Sequence, residues 1–256
     1  MVASTAFSKP VREIGEFLVL AWDTFVQLFT ARFAWREFLV MSWFVARVSA
    51  GPAIMLTIPF NVLVQFVFEV LLFEIGAPDL SGTGAALAVL TQTGPATTVL
   101  TIGGAGATAM CADLGARTIR EEIDAMTVMG INPIQRLVVP RVAALTLNGF
   151  LLNGIVTMFG FIGTYVFAIY VMNVTPGAFA GSLTLLTSVA DPIIASAKAT
   201  LFGLTAGLVA CYKGLTVDGG AQGVGNAVNE TVVYTFMALL AINSLLTAVL
   251  QPFVMP

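Results

Sequence analysis

Histidine is absent from this 256-residue chain. Imidazole proton relays and histidine-ligated metal sites built from this chain alone are therefore excluded. Charge is scarce too: Asp, Glu, Lys and Arg make up 10% of the residues against 58% that are hydrophobic, and the mean hydropathy is +0.95. Cysteine occurs only at Cys111 and Cys211, without the paired spacing of a metal or redox site. No Gly-x-x-x-x-Gly-Lys-Ser/Thr loop is present to cradle nucleotide phosphates. The N-terminal region runs from Lys9 and Arg12 into Glu13, Glu16 and Asp23 with no short apolar stretch before a small-residue cleavage site, so no cleavable signal peptide is expected. A formal net charge of -3 does not suggest a nucleic-acid partner.

What is there is long apolar sequence, and it places the chain in a bilayer. A helix crosses the roughly 30 Å hydrocarbon core with about 20 residues, so this length leaves room for about five or six spans with short loops and no sizeable soluble domain. The expected fold is an all-α integral membrane protein forming one domain over residues 1–256, with spans at 38–73, 84–111, 137–172, 183–212 and 227–254. The first of these holds Pro52 and Pro59 and is too long for one straight crossing, which predicts a kink or break near the prolines. The second is rich in Gly, Ala and Thr, which lets helix backbones approach. Its Gly104, Gly106 and Ala109 imitate a dinucleotide fingerprint, but no strand precedes them, and tight helix packing is the better reading.

Before the first span, residues 11–30 place Ile14, Phe17, Leu18, Ala21, Phe25 and Leu28 on one helical arc, with Glu13, Glu16, Asp23 and Gln27 opposite. Such a helix either lies along a membrane surface or docks on a partner. The aromatic belt of Trp22, Phe33, Trp35, Phe38 and Trp43 favours the surface. The linkers set orientation. Lys9, Arg12, Arg32, Arg36, Arg117, Arg120, Arg136 and Lys213 fall at one end of the spans, with Arg47 and Arg141 close by, whereas the linkers at the other end hold no Lys or Arg. The positive-inside rule puts the N-terminus in the cytoplasm and, after five spans, the C-terminus outside.

The densest run of charge, Arg117, Arg120, Glu121, Glu122 and Asp124, lies between the second and third spans. Read as one helix from Arg117 to Met129, it pairs Arg117 with Glu121 and Arg120 with Asp124 at i, i+4 on one face and gathers Ile119, Ile123 and Met126 on the other. Gly130 is a C-terminal stop and Pro133 prevents continuation. The run is either a solvated loop helix or a docking helix that receives mechanical input from a soluble partner. The last turn at the same end, Lys213 to Gly225, is Gly-rich and by composition a flexible connector. Within the membrane, Asp191 and Lys198 are candidate polar sites two turns apart, too far to touch in a regular helix, with Asp191 either functional or merely starting its span. Glu69, near the outer end of the first span, is expected to reach interfacial water, and Gly203 with Gly207 to serve helix packing.

The runs EEIDAMTVMGINPIQRLVVPRVAA and GLTVDGGAQGVGNAVNETVV resemble the MlaE/YrbE family of ABC transporter permeases, most closely the actinobacterial, mycobacterial-type YrbE subunits of Mce lipid transport systems. The resemblance covers nearly the whole chain. It implies an interfacial helix, five transmembrane helices and a cytoplasmic coupling helix at 117–130, with Arg117, Arg120, Glu121, Glu122, Asp124, Met126, Gly130 and Pro133 engaging a cytoplasmic ABC ATPase dimer; beside it the Lys213–Gly225 turn is either a second contact with that ATPase, through Lys213 and Asp218, or only a sharp turn of the chain. It further implies a non-catalytic subunit of the plasma (inner) membrane, with no cofactor in this chain and ATP and Mg held by the ATPase. The other implied partners are a second permease, expected to be a paralogue, MCE proteins on the outer side, and a lipid cargo. Departures from the family pattern are Gln92 before Thr93, Gly94 and Pro95, where proteobacterial members tend to have Glu-Leu-Gly-Pro; Gly103-Gly104-Ala105-Gly106 in place of a motif with Arg; and Asp113 in place of Glu. Gln92, Gly94 and Pro95 are the candidate lipid path, and the lost charges argue against carrying over a headgroup preference. The rival classes are an ATP-independent secondary lipid transporter and a membrane scaffold for a lipid-shuttling complex.

Overall fold

The computed structural model describes residues 3–30 and 33–254, and side chains over 12–30 and 33–249. Arg32 and the side chain of Lys9, both counted in the charge bias above, lie outside the described residues. The described chain is helical and contains no strand: α1 (Ala3–Thr30), α2 (Trp35–Glu74), α3 (Pro78–Ile119), α4 (Glu122–Val128), α5 (Ile134–Tyr170), α6 (Pro176–Ser182), α7 (Ala190–Leu215) and α8 (Gly220–Val254). Of these, α2, α3, α5, α7 and α8 are long and apolar enough to cross a membrane. The protein is a multi-pass membrane protein.

Of the kink or break expected near Pro52 and Pro59, the break does not occur: helix α2 runs for 40 residues through both prolines. Each proline removes one N–H from the ladder. Helix α2 also packs extensively on α5, and that packing offsets the loss. At 1.5 Å per residue the helix is about 60 Å long, so it tilts or projects past the hydrocarbon core. The fourth span also departs from expectation. Its helix begins at Ala190 rather than 183, because the preceding apolar sequence forms the separate short helix α6, capped by Thr175, and then a non-helical stretch.

The core joins the spans through Val45 of α2, Ile102 and Met110 of α3, Leu145 and Leu152 of α5, Phe202 of α7 and Leu239 of α8. Where α5 crosses α7 the contact is backbone on backbone. A Cβ at Gly203 would stand 2.3 Å from the Leu145 carbonyl oxygen, and one at Gly149 would stand 2.5 Å from that of Ala199. Only glycine permits that approach, which is how membrane helices gain packing that lipid cannot match.

Polar groups line the inside. Ser49, Thr57, Asn61, Gln65 and Glu69 are all buried at spacings of four or eight residues along α2, on the i±4 ridge facing the bundle. Asn61 Nδ2 donates to the Thr57 carbonyl at 2.8 Å, the Thr93 hydroxyl donates to Asn61 Oδ1, and Gln65 Nε2 donates to Glu69 Oε1 at 2.8 Å. The Ser81 hydroxyl of α3 also donates to Glu69 Oε1. Glu69 therefore does not reach interfacial water, as expected from its place near the helix end; it is fully buried, because α3 returns over it immediately after the turn.

Candidate functional site

The charged run after α3 folds as two pieces. Helix α3 continues to Ile119, the chain turns at Arg120 and Glu121, and α4 occupies Glu122–Val128. Glu121 takes a left-handed conformation, φ 59°, which costs an L-residue about 1–2 kcal/mol and ends one helix before the next begins. The single helix expected from Arg117 to Met129 is thus corrected, and its two i, i+4 pairs do not form. Arg117 turns back to Asp113 at 3.4 Å, and Arg120 meets Glu122 at 3.1 Å. The end of α4 matches its sequence signals. Gly130 has φ 74°, the Ile131 N–H donates to the Met126 carbonyl at 2.9 Å and the Gly130 N–H to that of Thr127 at 3.0 Å, a Schellman cap. Pro133 then stands directly before α5, where the Ile134 N–H donates to Asn132 Oδ1 at 3.0 Å.

One side of α4 is anchored. Ile123 and Met126 pack against a buried cluster that includes Leu114 of α3, Leu137 and Val138 of α5 and Cys211 of α7, and Phe17 and Ala21 of α1 pack against the same cluster. The other side is bare. Glu121, Asp124, Val128, Met129 and Ile131 are exposed, Val128 by 89%.

Behind α4 lies an ion network that the sequence reading passed over, although Arg141 stood among the membrane-proximal cations. Arg141, on α5, is fully buried. Its Nη2 meets Asp113 Oδ2 of α3 at 2.6 Å, its Nη1 lies 3.5 Å from Glu37 Oε1 of α2, and Nη1 also donates to the Leu137 carbonyl at 3.1 Å. Three spans are joined through one guanidinium, whose planar fork suits two carboxylates at once. The Thr118 hydroxyl adds a tie from the end of α3 to the Gly214 carbonyl of α7, at 2.8 Å.

The pattern described as Permease MlaE matches residues 38–249. The chain belongs to the MlaE permease family. Among its relatives, a probable ABC transporter permease of Synechocystis sp. is 30% identical over 172 residues, covering 67% of this chain and 65% of the relative. One of Rickettsia typhi is 30% identical over 174 residues, 68% and 67% of the two chains, and one of Pyropia yezoensis is 31% identical over 158 residues, 61% and 60%. The chain thus spans about two thirds, or slightly less, of the length of these relatives.

The remaining predicted residues of this MlaE-family chain fall in three places. Gln92, on a π-turn of α3 at Ala88–Thr93, is exposed, whereas Gly94 and Pro95 are buried. Lys213 and Asp218 line a polar cavity of about 480 Å³ with Arg12, Glu13, Glu16 and Glu230. Lys213 is paired there with Glu230 at 2.7 Å and lies 4.5 Å from the Tyr234 ring centroid, so of the two only Asp218 is exposed. Arg12 is held above its usual range by its hydrogen bond to Glu16. Asp191 and Lys198 are not brought together: Asp191 accepts the Ser188 N–H at 2.7 Å, fastening the first turn of α7, and Lys198 Nζ bonds the Thr247 hydroxyl of α8 at 2.9 Å.

Proposed function

We propose that this chain is the membrane-spanning, non-catalytic subunit of an ABC-type lipid transporter, with α4 as the coupling helix on which a cytoplasmic ATPase dimer docks. The observation that carries the reading is α4 itself: rooted through Ile123 and Met126 in a core shared by α1, α3, α5 and α7, and bare at Asp124, Val128 and Met129. The family match and the names of the relatives support it. In this reading the basic end of the bundle is cytoplasmic, α1 lies along the inner face of the plasma membrane with Leu18, Trp22 and Phe29 in lipid, and Arg120, Glu121, Glu122 and Asp218 border the ATPase contact.

The mechanism follows from the attachment. ATP closes the ATPase dimer, α4 is displaced, and the spans that share its core move with it. Two permease subunits, this chain and a paralogue, enclose a lipid between them. Apolar burial of about 0.8 kcal/mol per methylene holds the acyl chain, so a change of cavity shape suffices to release it. Gln92, exposed on α3, borders that route, and MCE proteins on the outer side hand lipid to it in the direction of import. The EEIDAM and Gly-Ile-Asn-Pro wording supports the actinobacterial Mce type, with a fatty acid, sterol or phospholipid as cargo.

The test is affinity purification from native membranes of the unmodified chain and of Asp124→Lys combined with Val128→Asp, both at exposed positions. The reading expects an ATPase chain with the first and its loss from the second at equal yield of folded permease. Retention of the ATPase by the variant would remove α4 as the contact, and no ATPase with either chain would return the secondary-transporter or scaffold reading.

A further inference from the structure

The ion network behind α4 is unevenly closed. Arg141 and Asp113 are in tight contact at 2.6 Å, while Arg141–Glu37 stands at 3.5 Å and Arg117–Asp113 at 3.4 Å. Correspondingly, Glu37 Oε1, Arg117 Nε and Arg141 Nε are buried without a hydrogen-bond partner. Native structures rarely leave charged groups so, because each lost hydrogen bond in a low-dielectric interior is costly. The four groups are neutral in sum, and a second arrangement is within reach: Arg141 closes on Glu37 while Arg117 takes Asp113. Arg141, fully buried, has no water to turn to and must hold one carboxylate or the other.

We propose that Arg141 is a positioning residue that exchanges Asp113 for Glu37 when α4 is displaced, so that docking movements reach α2 and α5 as a switch between two discrete states. The proposal rests on the reading of α4 as the ATPase contact. The connection is physical and short. Ile123 and Met126 of α4 pack in one cluster with Leu137 and Val138, and the Leu137 carbonyl accepts from Arg141 Nη1. Arg117 lies one turn before the Glu121 reversal that leads into α4, so a displaced α4 pulls on both cations at once. Interiors are bistable rather than continuously deformable, and two alternative closures of one charge network are such a pair of states.

The test uses the purified permease–ATPase complex with nitroxides at Thr127→Cys on α4 and Val40→Cys on α2, both exposed positions outside the residues assigned to the ATPase contact; the native Cys111 and Cys211 are buried. Distances are measured by pulsed electron paramagnetic resonance with and without a non-hydrolysable ATP analogue. The unmodified network is expected to show an ATP-dependent shift between two distances. Glu37→Gln, which cannot hold the guanidinium as a charge pair, is expected to keep the ATPase bound and the resting distance unchanged while moving the ATP-bound populations back by about two- to thirtyfold. Glu37→Asp, which keeps the charge, restores the shift. An unaltered ATP-dependent shift in Glu37→Gln overturns the exchange while leaving the ATPase contact standing. Absence of the ATPase from the parent complex refutes the reading beneath it instead.

Discussion

Helices α7 and α8 are neighbours in sequence and partners in packing, yet they are built on opposite plans. In the most apolar stretch of α7, 56% of residues are buried, against 11% in α8, and α8 is the more apolar of the two. Helix α7 presents Ala195, Ala199, Gly203, Ala206 and Gly207 to its neighbours, and α8 presents Val233, Met237, Leu240 and Leu245 outward. In water the more apolar helix would be the more buried. In lipid an exposed leucine costs nothing, so burial is decided by how closely backbones approach and by which polar groups must find partners.

The largest effect should come from breaking the close crossing. Gly203→Leu forces a side chain through the Leu145 carbonyl and should destabilise by about 3 kcal/mol or more, read as loss of monodisperse protein in detergent and a lowered unfolding temperature. Next is Glu69→Ala, which strips the Ser81 hydroxyl and the Gln65 amide of their shared acceptor; about 1–3 kcal/mol is expected by denaturant unfolding. If Glu69→Ala is neutral, the inner polar seam is not what fixes α2 against α3. Glu121→Gly relieves the left-handed strain at the α3–α4 turn and should stabilise by about 0.5–1 kcal/mol, the gain reduced by glycine's greater backbone entropy. The smallest change is Leu240→Ala on the open face of α8, within about 0.5 kcal/mol in thermal unfolding of the isolated chain. A large loss there would mean that α8 is not lipid-facing as drawn, and the contrast with α7 would collapse.

The five apolar helices were legible because hydrophobic length is a one-dimensional signal, and the Gly130 stop was legible because a Schellman cap has a local residue signature. The break at Glu121 was not. A glutamate in a left-handed conformation has no marker in sequence, and the i, i+4 charge pattern around it argued for an unbroken helix. That the long first span holds no break has a related reason: proline lowers local helix stability, but the packing of α2 on α5, which outweighs it, is a long-range property. Burial of Glu69 depends on α3 doubling back over it, and the meeting of Arg141 with Asp113 and Glu37 depends on three helices converging. Sequence spacing reports only which residues share a face of one helix, so the candidate site was half visible: α4 by its charges and caps, the network behind it only through the fold.

The most direct test of the account is site-specific photo-crosslinking in native membranes, with the crosslinker placed at Val128 on α4 and, as a matched control, at Leu186, an exposed position at the opposite end of the bundle. The account predicts a covalent adduct with an ATPase chain from Val128 and none from Leu186. An adduct with an ATPase from Leu186 and none from Val128 would contradict it.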